Sequence, residues 1–168
     1  MDRLWSPWRY RYVSKATPAD ACIFCAKPAE RNDPENFILH RGRHNFVLLN
    51  LYPYTTGHLM VAPYAHIAML DELPAEAAAE LMELTQTAVR CLREAYRPHG
   101  LNIGMNLGEC AGAGIAGHLH MHVLPRWPGD ANFMTTIGET RVMPEELPET
   151  WRRLSEAFRS AGIAPPPA

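Results

Sequence analysis

The sequence predicts an α+β domain in which short strands joined by turns enclose one long amphipathic helix, with a second helix near the C-terminal end. Three observations carry this reading. Short strand-like runs bounded by Gly, Pro or Asn occur at 37–40, 44–50 and 58–63. Leu81, Leu84, Ala88, Cys91, Leu92 and Ala95 follow the i, i+3, i+4, i+7 spacing of a single helical face, and Pro98 and Gly100 stand just past its end. No internal repeat and no second domain are evident, and 168 residues are enough for one domain with a real core.

In chain order, residues 4–13 carry Trp5, Trp8, Tyr10 and Tyr12 around Pro7 and read as an arm packed over the domain by its aromatics. Residues 16–34 read as a loop interrupted by Cys22-Ile-Phe-Cys25. Arg41-Gly42-Arg43 joins the first two strands as a hairpin connection. The strand at 58–63 is entered through the turn-like Tyr52-Pro53-Tyr54-Thr55-Thr56-Gly57. The long helix is expected over 73–97 and a strand over 101–107. A Gly/Ala loop at 108–117 then leads to a last strand at 118–125 and a second helix over 149–160. The chain thus divides into an arm, 1–21, a folded domain, 22–161, and a disordered tail, 162–168.

Composition narrows the function classes. Hydrophobic residues make up 47% and charged residues 20%, a globular profile. A formal net charge of −2 gives no reason to expect a nucleic-acid or membrane partner, so an anionic substrate must be met by a local site. No apolar run approaches the ~20 residues of a membrane span, and the basic, aromatic start lacks the apolar segment of a signal peptide. Four cysteines are too few for a disulfide scaffold. A cytoplasmic enzyme is expected.

The informative segment is His118-Leu-His120-Met-His122-Val-Leu-Pro125. In a strand, alternate side chains share a face, so three imidazoles project together while Leu119, Met121 and Val123 point the other way. A shared metal is the first competitor. At ~3.3 Å per residue, however, His118 and His122 lie about 13 Å apart, too far for both to reach one zinc. The spacing suits an extended substrate read at successive atoms, such as a polyphosphate chain. A neutral imidazole is a competent nucleophile near pH 7.

His-x-His-x-His followed by apolar residues resembles the histidine-triad (HIT) signature, and Gly57-His58-Leu-Met-Val-Ala-Pro63 resembles its upstream partner motif. Trp5-Ser-Pro-Trp-Arg9, Cys22-x-x-Cys25, Leu49-Asn50-x-Tyr52-Pro53-Tyr54, Asn102-x-Gly104-x-Asn106-x-Gly108 and Pro125-Arg-Trp127-x-Gly-Asp-x-Asn132-Phe133 extend the likeness over essentially the whole chain. Together they are similar to the bacterial diadenosine-tetraphosphate phosphorylase-like branch. The resemblance implies a HIT-like antiparallel sheet with one long helix and a C-terminal helix. It implies a nucleotide hydrolase or nucleotidyltransferase that cleaves dinucleoside polyphosphates through a nucleotidyl-histidine intermediate, resolved by water or inorganic phosphate. His120 would be the nucleophile, its second ring nitrogen donating to a backbone carbonyl at the position of His58. His122 would contact phosphate oxygens or assist the leaving group, with His118 and His58 completing the catalytic set. Asn106 and the backbone of Gly112, Ala113 and Gly114 would hold the α-phosphate. Asn50 would contact the ribose, and Leu48 and Met60 would wall the base. Arg126 and Asn132 would meet the acceptor phosphate. Mg²⁺ would accompany the substrate, and the chain would form a homodimer. Met82, Val89 and Tyr96 are apolar residues on the long helix beyond one buried stripe.

By itself a Cys-x-x-Cys pair could be a redox couple, a disulfide or half of a zinc site. The family resemblance favours structural zinc, with Cys22 and Cys25 completed by His66 of Pro63-Tyr-Ala-His66 and by His118. His40, His44 and His99 are assigned no role. Two rivals from other classes are a nucleotide-binding regulatory module with little turnover and a metalloprotein using the triad as ligands. Intact His120 and His58 favour the enzyme over the first, and the ~13 Å span disfavours the second.

Overall fold

Residues 45–49 and 59–63 are buried at every position, which requires a sheet covered on both faces. In the computed structural model, which describes residues 22–137 and 143–163, five antiparallel strands form that sheet. They are β1 (Ile38–Arg41), β2 (Asn45–Leu49), β3 (Leu59–Pro63), β4 (Gly100–Met105) and β5 (Met121–Arg126), in the order β1-β2-β3-β5-β4. The helices are α1 (Ile23–Ala29), α2 (Asp33–Asn36), α3 (Ala75–Tyr96), α4 (Phe133–Thr136) and α5 (Leu147–Ser160). This is the expected α+β arrangement. The motif at residues 5–9 and the tail from 164 lie outside the described residues.

Period-two alternation divides the sheet's side chains between two faces. Val47, Leu49, Leu59, Val61, Met121 and Val123 face α3 and α5, where they pack with Leu81, Leu84, Ala88, Leu92, Leu154 and Phe158. Phe46, Leu48, Met60 and Ala62 face the other way and pack with Cys22, Phe24 and Ile38.

Three expectations are corrected. Of the loop expected over 16–34, residues 22–34 are described, and they are not all loop: α1 follows Cys22 directly, and α2 begins at Asp33 with Pro34 in its first turn. Pro28 inside α1 masked the helix. The segment is held by burying Phe24, Lys27 and Pro28 rather than by propensity. The last strand begins at Met121, not His118. Pairing of β3 with β5 stops at Val61 and Met121, so residues 118–120 continue without a ladder. At the other end, α5 closes with Gly162 at φ 77°, the Ile163 amide donates to Phe158 O, and Ile163 packs on the core. Two residues of the expected tail therefore belong to the helix cap.

The connection between β1 and β2 depends on a remote carboxylate. Glu80 of α3 accepts the backbone N–H groups of Arg43, His44 and Asn45 and the Asn45 side-chain amide, at 2.6–2.8 Å. Burial opposes its charge, yet these hydrogen bonds outweigh burial and hold the carboxyl below its ordinary value. A Cβ on Gly42 would stand 2.9 Å from both Asn45 O and Glu80 Oε1, so only glycine fits the turn.

Candidate active site

The turn into β3 places the first functional side chain. Gly57 has φ 79°, and a Cβ there would press on Leu92, Tyr96 and Pro125 at 3.2–3.3 Å, so glycine delivers the chain into His58. Met60 then pairs with His122 across the ladder, which sets His58 beside the triad segment. His58 Nε2 and His122 Nδ1 are 2.9 Å apart, and both side chains are buried.

The proton positions in this pair follow from its neighbours. The Tyr54 backbone N–H can only donate, and it meets His58 Nδ1 at 3.2 Å; the Asn50 amide lies 3.3 Å from the same atom. His58 Nδ1 is therefore the acceptor and its proton sits on Nε2, from which it donates to His122 Nδ1. His122 in turn carries its own proton on Nε2. His120 has the opposite tautomer. Its Nδ1 lies 2.8 Å from the His118 carbonyl and must donate to it, leaving the lone pair on Nε2. Burial lowers the His120 pKa, although the His118 carbonyl works the other way, so the ring is neutral near pH 7. The two imidazoles meet edge to face at 4.8 Å. One nitrogen pair and one proton are thus presented side by side. The carbonyl that fixes His120 belongs to His118, not to the position of His58 as expected; the His58 carbonyl accepts from the Asn50 backbone N–H.

His120 and His122 line a cleft of about 290 Å³ whose floor is Leu48 and Met60. Ile23, Phe24 and Lys27 of α1 wall it on one side, with Gly114 and Ile115 also on its lining. The Phe24 ring stacks on His120 at 4.7 Å. Asn50 lines the cleft too, but its amide is engaged: Oδ1 accepts from the Tyr52 N–H and Nδ2 faces His58.

His118 leaves this cleft. Its Nε2 lies 2.9 Å from Pro63 O and must donate to it, so Nδ1 carries the lone pair. That atom lies 3.4 Å from Cys22 Sγ, 3.5 Å from Cys25 Sγ and 3.2 Å from His66 Nδ1, while Cys25 Sγ and His66 Nδ1 are 3.3 Å apart. A tetrahedron with zinc's bond lengths has S···N edges of about 3.6 Å and N···N edges of about 3.3 Å. Donor set and spacing therefore fit zinc, and all four ligand atoms lie within 4.8 Å of one another. Both thiols are free. Burial, reinforced by the adjacent Cys22, raises the Cys25 pKa, the effect a bound cation reverses.

Other expected residues do not join the cleft. Gly112 and Ala113 donate their backbone N–H groups to Glu109 O and Gly108 O inside their own loop, so of the three only Gly114 lines it. Asn106 follows β4 directly and is not among the residues that line the cleft. Arg126 is bound bidentately to Asp130 at 2.6 and 2.7 Å and donates to Asn102 at 2.6 Å, so it holds its own loop instead of offering a ready anion contact. Asn132 accepts from the Met134 N–H and lines a neighbouring cavity of about 450 Å³ that touches the cleft through Tyr54. The sequence reading missed Phe24, Lys27 and Ile115. The signal for the first two was the i, i+1, i+4 set Ile23, Phe24, Lys27, which makes one face only once α1 is recognised as helix.

The family model of the HIT domain matches residues 30–129. The chain belongs to the HIT family. The AP-4-A phosphorylase of Mycobacterium tuberculosis is 44% identical over 162 residues, covering 92% of this chain and 83% of that protein. Protein hit of Bacillus subtilis is 33% identical over 77% of this chain and 88% of its own. A Zn-bound histidine triad family protein from Mycobacterium smegmatis has a TM-score of 0.69 at 28% identity, over 85% of this chain and 96% of that one. The HIT match contains His58, His66 and the triad but begins after Cys22, Phe24, Cys25 and Lys27. Among the described residues no helix is long and apolar enough to cross a membrane.

Proposed function

We propose that this HIT protein is a nucleotidyl-transferring enzyme that cleaves dinucleoside polyphosphates such as diadenosine tetraphosphate, with His120 as nucleophile. The observation that carries the reading is the pair of opposite tautomers: a neutral lone pair on His120 Nε2 beside a proton on His122 Nε2. His120 Nε2 attacks the α-phosphorus and forms a P–N bond as the P–O bond to the departing nucleotide breaks. The electron pair leaves on the phosphate oxygen, which takes the His122 proton. His58, held by the Tyr54 amide, keeps His122 in the donating tautomer. In the second half-reaction an oxygen of water or inorganic phosphate attacks phosphorus, returns a proton to His122 and frees His120. A module that only binds nucleotide has no use for this proton arrangement.

Leu48 and Met60 would floor the base site and Asn50 would lie near the ribose. Mg²⁺ would enter with the polyphosphate, neutralising the leaving group. Cys22, Cys25, His66 and His118 would hold zinc. Bound there, zinc supplies structural rigidity and no reacting group, and it would fix His118, whose carbonyl sets the His120 tautomer. Reduced thiols in this cluster fit the cytoplasm. A homodimer would form across the exposed edge strand β4, where Ile103 is half exposed, together with Met82 on α3; Val89 and Tyr96 pack instead on the chain's own core.

The acceptor decides between phosphorylase and hydrolase. The relative named as a phosphorylase supports the first. Inorganic phosphate should then accelerate cleavage of diadenosine tetraphosphate and convert the products from ATP plus AMP to ATP plus ADP. Unchanged rate and products would overturn the phosphorylase reading and leave a hydrolase. No cleavage under either condition would overturn the enzymatic reading itself.

A further inference from the structure

Lys27 is the one lysine or arginine among the described residues that line the cleft, and it stands beside its apolar floor. Of the sixteen Lys and Arg residues of the chain, only two are lysines, Lys15 and Lys27. Lys27 is 9% exposed and shares the inner face of α1 with Ile23 and Phe24, opposite Leu48 and Met60. An ammonium has three N–H donors, and among the described residues its one hydrogen-bond acceptor is Asn36 O at 3.1 Å. Two donors remain in a site where each unmade hydrogen bond is costly.

The ladder locates this group relative to the chemistry. His122 pairs with Met60, Met60 with Leu48, and Leu48 with Ile38, two residues beyond Asn36. Three strand spacings, about 14 Å, thus separate His122 from the β1 edge where the Lys27 ammonium is tied. The α-phosphate must lie at His120, so the floor of Leu48 and Met60 carries the nucleoside away from it and toward Lys27. We infer that Lys27 is a specificity-determining residue that donates to an acceptor on the far edge of the nucleobase, a ring nitrogen or a carbonyl. An ammonium accepts nothing, so it cannot satisfy an exocyclic amino group. The inference rests on the nucleotide reading above.

With only two lysines, ¹³C-lysine labelling gives two side-chain signals, assigned by Lys15→Arg. In the wild-type protein AMP should shift the Lys27 signal, whereas ribose 5-phosphate, which lacks the base, should leave it in place. Lys27→Met should weaken AMP binding at least tenfold and ribose 5-phosphate binding less than twofold. Equal weakening of both ligands, or an equal shift by both, would mean that the ammonium meets phosphate, and the inference would fall. It falls alone if AMP binds the wild-type protein without moving the Lys27 signal. If AMP does not bind at all, the nucleotide reading falls with it.

Discussion

The two faces of the sheet are built from alternate residues of the same strands, yet they do different work. Under α3 and α5 the buried set is almost wholly apolar, with Leu81, Leu92, Leu154 and Phe158 packed on Val47, Leu59 and Val123. The face toward α1 also buries Phe24, Phe46 and Leu48, but around them lie His58, His118, His120, His122 and Lys27. Apolar burial stabilises in rough proportion to area, whereas each buried polar group costs stability unless it finds a partner. A substitution on the first face should therefore be felt mainly in stability, and one on the second mainly in where protons sit. Each imidazole on it has a specific acceptor or donor that also decides where its proton sits.

The difference can be broken by substitution. His120→Ala should lower kcat by a factor on the order of 10⁶, the scale of losing a nucleophile, while the melting temperature moves by less than about 5 °C. Steady-state rates with a thermal melt check this, and retention of more than a tenth of wild-type kcat would refute the nucleophile. Cys22→Ser tests whether the metal cluster joins stability to chemistry. The wild-type protein should carry about one zinc per chain by elemental analysis. The variant should lose it, melt roughly 15 °C lower and turn over more slowly, because the His118 carbonyl is no longer anchored. Absence of zinc from wild-type protein prepared without chelators would sink this proposal. Leu92→Ala, wholly on the apolar face, should cost about 3 kcal/mol in denaturant unfolding and leave kcat within twofold.

The same contrast explains what could be read from the sequence. The apolar face was legible because α3 repeats its Leu and Ala residues at helical spacing and β2 and β3 are continuous apolar runs. The triad was legible because three histidines at alternate positions have no packing rationale. Where each histidine points was not. His118 parts from its neighbours because pairing with β3 ends before it and Pro63 offers a carbonyl, a tertiary event invisible in the alternation. Arg126 has the chemistry of an anion contact, but Asp130, four residues on, already occupies its guanidinium. Lys27 was overlooked because Pro28 and the cysteine pair disguised α1 as loop.

The Glu80 clamp carries a consequence for how the chain assembles. A turn between adjacent strands ordinarily closes with local hydrogen bonds and can form early, on its own. Here Arg43, His44 and Asn45 send their N–H groups to a residue 35 to 37 positions further along. The hairpin therefore cannot finish until α3 has formed and docked, and its completion is subject to the entropy of closing that loop. The amides of 43–45 and those in the first turns of α3 should then open together in native-state hydrogen exchange, as one cooperative unit.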